Sequence, residues 1–156
     1  MIDTLITGLI SDNEEVIAAF GESDNCIVID WRDGPEEIFE ALIPFLPSGY
    51  LRIENRSSTE WLVQTENQPE RIVLVAPETK HEDFFVSLNQ VLAPDYELWQ
   101  YTPVNGDGYS LYLAPSPWWK SFAAEHPGVL AKYFLSLNRL AAYMKKRYFV
   151  RLFSRP

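Results

Sequence analysis

Residues 50–76 read as three strand-patterned segments in series, and this run constrains the fold more than any other feature of the chain. "YLRIE" and "TEWLVQT" alternate with period 2, setting Leu51 and Ile53 on one face and Trp61, Val63 and Thr65 on another. The "NRSS" between them suits a hairpin. "RIVLVA" follows as the most apolar of the three, which predicts a central place in the sheet. A second pair, "YELWQYT" and "YSLYLA", flanks "PVNGDG", whose glycines and asparagine suit a hairpin turn.

Helical patterns surround these hairpins. "SDNEEVIAAF" offers two overlapping capping boxes, Ser11 with Glu14 and Asp12 with Glu15, which predict a helix over 13–20 with a short one over 3–10 before it. "CIVID" is an apolar, β-branched run and predicts a buried strand. "GPEEIFEALIPFL" places Ile38, Leu42 and Phe45 on one helical face behind Pro35. "TKHE" reads as a capping box, Thr79 to Glu82, opening a helix that carries Phe84, Phe85, Leu88, Val91 and Leu92. Ser116 and Pro117 open a short helix. Pro127 opens a long one, whose stripe of Leu130, Phe134, Leu137, Ala141, Met144 and Tyr148 is spaced by fours and threes.

Helices mixed with hairpins, rather than strict strand and helix alternation, predict an α+β fold. The expectation is a single domain over 1–156, with a largely antiparallel sheet of about six strands packed against helices and a long C-terminal helix. Its 156 residues are 47% hydrophobic, enough for a core that buries about two-thirds of the unfolded surface. No repeat or linker marks a boundary.

Cys26 is the one cysteine, which excludes an internal disulfide and fits a buried thiol in a reducing compartment. The N-terminus has no basic residue before its apolar stretch and carries Asp3, unlike an export signal. Apolar runs stop short of the roughly 18 residues needed to span a bilayer. The expectation is a soluble, cytoplasmic protein with no transmembrane segment. Charge is uneven: residues 1–100 carry 20 acidic and 5 basic side chains, net −15, whereas 101–156 carry 2 acidic and 8 basic, net +6. An acidic first segment argues against nucleic acid and for a basic partner.

The densest candidate site is "CIVIDWRDGPEE". Asp30 ends the apolar run, with Trp31, Arg32, Asp33, Glu36 and Glu37 following. Asp33 or Gly34 is the natural N-cap of the next helix, and Glu36 and Glu37 lie where its dipole favours negative charge. Asp30 and Trp31 remain at a strand's carboxyl end, where open α/β sheets place ligands. The dehalogenase-type pattern of Asp, any residue, Asp is not met, because Arg32 holds the second position.

Other chemistry is sparse. His81, His126 and Cys26 show no metal-ligand spacing, and both histidines fit solvent-exposed capping roles. No metal or other cofactor is expected. "GYSLY" lacks the glycine that a nucleophile elbow needs, and "GDGYSL" precedes a strand rather than the helix of a phosphate-binding fingerprint. Trp61 and Trp99 are expected to pack, and Trp118 and Trp119 to point about 100° apart. Lys145, Lys146, Arg147, Arg151 and Arg155 read either as a membrane or nucleic-acid patch or as the outer face of a docked helix that pairs with the acidic segment. The continuous stripe favours docking.

The passage "DYELWQYTPVNGDGYSLYLAPSPWWKSFAAEHPGVLAKYF" resembles the C-terminal part of a bacterial domain family of unknown function, in its order of strand, Gly/Asp turn, aromatic strand and Trp-bearing helix. The acidic, motif-poor profile is similar to that of immunity proteins of bacterial toxin systems, which implies binding and blocking of a toxin without catalysis. The functional expectation is a non-catalytic binding protein whose contact residues are Asp30, Trp31, Asp33, Glu36 and Glu37. The alternative is a hydrolase that uses Asp30 and the carboxylates near it.

Overall fold

The chain enters through two helices, α1 (Ile2–Ile10) and α2 (Glu14–Phe20), joined by a tight corner. The computed structural model describes residues 2–22, 24–74, 79–103 and 107–153. Neither expected capping box opens α2. Asn13 is its N-cap, accepting from the Glu15 and Val16 amides at 3.1 and 3.2 Å. Asp12 instead takes a left-handed conformation, φ 52°, which lets the chain reverse between the helices.

β1 (Ile27–Ile29), α3 (Pro35–Leu42) and a short 3₁₀ turn at Ile43–Phe45 follow. Three strands come next, β2 (Leu51–Ser57), β3 (Glu60–Thr65) and β4 (Arg71–Leu74), ahead of α4 (His81–Leu92). The remainder is β5 (Tyr96–Tyr101), β6 (Tyr109–Pro115), α5 (Ser116–Glu125), α6 (Pro127–Tyr133), β7 (Phe134–Ser136) and α7 (Leu137–Phe153). The fold is α+β and the strand pairing is antiparallel throughout the described residues. The strands divide into two sheets, one ordered β1-β6-β5-β7 and one ordered β2-β3-β4.

Alternation across β5 and β6 gives the larger sheet two buried faces. Leu98 and Leu111 join Ile27 and Ile29 in a cluster with Phe39, Phe85, Leu88, Leu137 and Leu140, which packs α3, α4 and α7 on one side. Tyr101, Tyr112 and Ala114 point the other way, into a second cluster with Leu9, Phe20, Trp119, Phe122, Tyr133 and Phe134 under α1, α2, α5 and α6. The smaller sheet closes on the first cluster, where Phe39 meets Trp61 at 5.2 Å between ring centroids.

The segment expected to be central, "RIVLVA", supplies the edge strand β4, and the central strand is β3. Trp61, Leu62 and Val63 are all buried, so β3 is covered on both faces, the property that the unbroken apolar run of β4 predicts for that strand instead. Residues 75 and 76 of that run lie outside the described residues, as do 104–106 of the β5–β6 turn.

The helix expected from Pro127 onward is broken by β7, which pairs with the outer edge of β5. Phe134 joins the second cluster, whereas Leu137 and Leu140 join the first. The stripe thus serves opposite faces of the sheet, and a strand with period 2 at the sheet edge carries the chain from one to the other. α7 is the long C-terminal helix and packs on α4, where Lys145 Nζ lies 3.4 Å from Asp83. The side chain of Tyr148 lies outside those described.

Candidate functional site

β1 ends at Ile29 against Tyr109, the first residue of β6, and the approach is close enough to require glycine next door. A Cβ on Gly108 would lie 2.5 Å from the Ile29 carbonyl oxygen. Beyond Ile29 the chain turns sharply. The Asp33 amide donates to the Asp30 carbonyl at 3.0 Å, and the Asp30 amide donates to Asp33 Oδ2 at 2.8 Å. Asp33 thereby closes the turn, and Gly34 takes the N-cap position of α3 with Pro35 behind it. Glu37 reaches back to accept the Gly34 amide at 2.9 Å.

Asp30 is held by its own neighbour. Its carboxylate accepts the Arg32 amide and Nε at 2.9 Å and Nη2 at 3.1 Å. These bonds stabilise the charged form, and Arg32 holds the Asp30 carboxyl down at about 2. The guanidinium also lies 5.7 Å from the Trp31 ring centroid. Trp31 itself is 58% exposed, while Ile27 and Ile29 point inward from the strand before it.

A cavity of about 290 Å³ opens beside Trp31. Pro35, Ile38 and Phe84 form its apolar lining, with Ile38 and Phe84 both buried. Arg32, Asp33, Lys80 and His81 add charged and polar groups, and Ser58 contributes from the β2–β3 turn. Of the expected contact residues, Trp31 and Asp33 line this cavity. Asp30 stands behind Arg32, and Glu36 and Glu37 are exposed on the first turn of α3 outside it.

The start of α4 differs from its expected form. Lys80, rather than Thr79, is the N-cap, and Glu82 turns inward to accept the Tyr109 hydroxyl at 2.5 Å. His81 is half-buried rather than a solvent-exposed cap: its Nε2–H donates to the Asp33 carbonyl at 2.7 Å, and its ring lies against both Phe85 and Tyr109. This bond joins α4 to the β1–α3 turn across 48 residues, so no local spacing in the sequence signals it. Lys80 and Phe84 enter the site the same way.

Asp30 and Asp33 are both engaged in forming the turn, and Cys26 is buried, its thiol pushed up to about 12 by desolvation. Among the described residues, no three histidine, cysteine or acidic side chains group as a metal site. Nor is any helix among them long and apolar enough to cross a membrane. No protein-family model, curated protein or solved structure matches the chain.

Proposed function

We propose that the protein acts by binding a basic protein partner through the surface formed by Trp31 and the acidic start of α3. The observation that carries this reading is the exposed Trp31 ring beside a cavity with an apolar floor. Large aromatics in such settings are over-represented among the residues that dominate binding energy. The floor of Pro35, Ile38 and Phe84 suits an apolar or aromatic side chain of the partner, with Arg32, Lys80 and Asp33 at its polar margin. Long-range attraction comes from Glu36, Glu37 and Glu40, exposed along α3. Such clustered charge speeds encounter with an oppositely charged partner more than it tightens the final complex.

A cytoplasmic immunity protein that blocks a basic toxin is the particular form this reading takes, supported by the acidic first segment and the absence of an assembled catalytic group around Asp30 among the described residues. Affinity capture on the immobilised chain from its native host, with Trp31→Ala and Glu36→Lys, Glu37→Lys chains in parallel, identifies the partner for kinetic study. The expected result is a basic protein retained by the native surface, with weaker retention by Trp31→Ala and an on-rate slowed by the charge reversal, more at low salt than at high. Equal retention by all three chains, with on-rates unchanged across salt, overturns the proposal.

A further inference from the structure

A second concave surface lies where the two sheets approach one another, away from Trp31. The β2–β3 hairpin brings Tyr50 and Glu66 together through a 2.9 Å bond from the Glu66 amide to the Tyr50 carbonyl. β5 begins alongside, and its first residue, Tyr96, pairs with Pro115 at the end of β6. Between these ends is a hollow of about 400 Å³, walled by Tyr50, Tyr96 and four exposed prolines, Pro47, Pro94, Pro115 and Pro117. The two tyrosine rings meet edge to face, 5.1 Å apart at 78°.

Its polar lining is acidic. Asp95 is fixed in place, its Oδ2 accepting the Tyr50 hydroxyl at 2.9 Å and Asn67 Nδ2 at 3.1 Å, and its backbone carbonyl accepting the Ser116 amide at 3.0 Å. Glu66 adds a second carboxylate, and among the described residues no lysine, arginine or histidine lines the hollow. Arg52 belongs to an adjoining hollow of about 240 Å³ that shares Tyr50 and Glu66.

We infer that this groove binds a proline-rich segment of a protein partner in the polyproline II conformation, with an arginine beside the prolines. Such a segment is already extended before it binds and makes no internal hydrogen bonds, so its carbonyls are open to donors and little entropy is lost on docking. Aromatic-walled grooves are the common receptors for it. The groove is matched in rigidity, since four prolines have fixed φ and Tyr50 is buried and tied to Asp95. Tyr96 offers a hydroxyl to a peptide carbonyl. Glu66 and Asp95 set the sign of the flanking charge, and the planar guanidinium of arginine fits carboxylates in two-point contacts.

Fluorescence anisotropy of a labelled peptide, one arginine followed by a run of prolines, titrated with the full chain, tests this directly. Saturable binding with a Kd below about 1 mM is expected. Replacing the peptide's arginine by glutamate, or Glu66 by lysine in the protein, should weaken binding about tenfold. Tyr96→Phe, which keeps the ring, should weaken it about fivefold. Trp31→Ala should bind the peptide as the native chain does, which separates this site from the surface around Trp31. Absence of saturable binding overturns the inference. So does equal binding of an arginine peptide with a glycine-serine run, or native affinity in both Glu66→Lys and Tyr96→Phe once circular dichroism shows them folded.

Discussion

The Tyr109 hydroxyl donates to Glu82 Oε1 at 2.5 Å, and Glu82 is only 2% exposed. This contact ties the first residue of β6 to the first turn of α4, next to the point where His81 holds the Asp33 carbonyl. The walls of the Trp31 cavity are therefore fixed from behind. A buried acid pointing inward also explains why Glu82 does not serve as a cap. Its carboxyl group gains a partner inside, which a cap at the surface would forgo.

Tyr109→Phe removes that donor while keeping the ring against Phe85, whose centroid lies 5.1 Å away. Losing a hydrogen bond to a buried acid should cost about 1.5–3 kcal/mol of stability. Denaturant unfolding checks this as a lower midpoint at an unchanged slope. Adding Glu82→Leu should recover part of the loss, because pairs of apolar groups replace hydrogen-bonded pairs at little cost.

Gly108→Ala tests the close approach of β6 to the end of β1. The added Cβ would meet a backbone carbonyl at 2.5 Å, which cannot rotate aside as a side chain would. The strand end must shift, at a cost of about 1–3 kcal/mol. Thermal unfolding reads the change, and a native Tm would show that the turn after Ile29 has room to move.

Much of this framework is legible in the sequence, because period 2 in the hairpin segments and Pro35 after Gly34 are local signals. The pairing of β2 with β3 and of β5 with β6, and the start of α3, follow from them. The break at Phe134 is not legible. Residues spaced by fours and threes satisfy a helical stripe equally well whether they face one layer or two, and only the tertiary fold shows that Phe134 and Leu137 lie on opposite sides of a sheet. The site divides similarly. Asp30, Trp31 and Asp33 stand together in the chain, whereas Lys80, His81 and Phe84 reach them only through the packing of α4.

The break at β7 predicts that Phe134 contributes as a core residue of the second cluster. Its ring lies 5.3 Å from Trp119 and 5.7 Å from Phe20. Phe134→Ala should cost about 3–5 kcal/mol. An exposed position just beyond it in the first turn of α7, such as Asn138→Ala, should change stability by less than about 0.5 kcal/mol. Chemical denaturation of the two variants decides the matter.

Trp31→Ala should separate binding from folding. With 58% of the residue exposed, its truncation should leave the unfolding midpoint within about 0.5 kcal/mol of native. The same change should cost about 2 kcal/mol or more of affinity for the protein partner if the ring is its anchor, measured by calorimetry. A large loss of stability instead would make Trp31 a packing residue and remove the basis for its proposed role.

Arg32 governs how Asp30 titrates. The Arg32 side chain and amide together lower the Asp30 carboxyl to about 2, below the ordinary aspartate value of about 3.9. The sign follows from the depressed folded value: the pair favours the folded state fully above the unfolded value near 3.9, and its contribution fades as pH falls through about 2. Both groups are well exposed, so salt screens the pair and its share of stability is small. Titration is the sharper readout. Carboxyl carbon chemical shifts of Asp30, followed from pH 6 downward, should show a midpoint near 2 in the native chain. In Arg32→Ala the midpoint should rise toward, though not fully to, the ordinary aspartate range, because the amide of residue 32 still donates to the carboxylate. If the Asp30 midpoint did not move in that variant, the turn amides rather than the guanidinium would hold the charge.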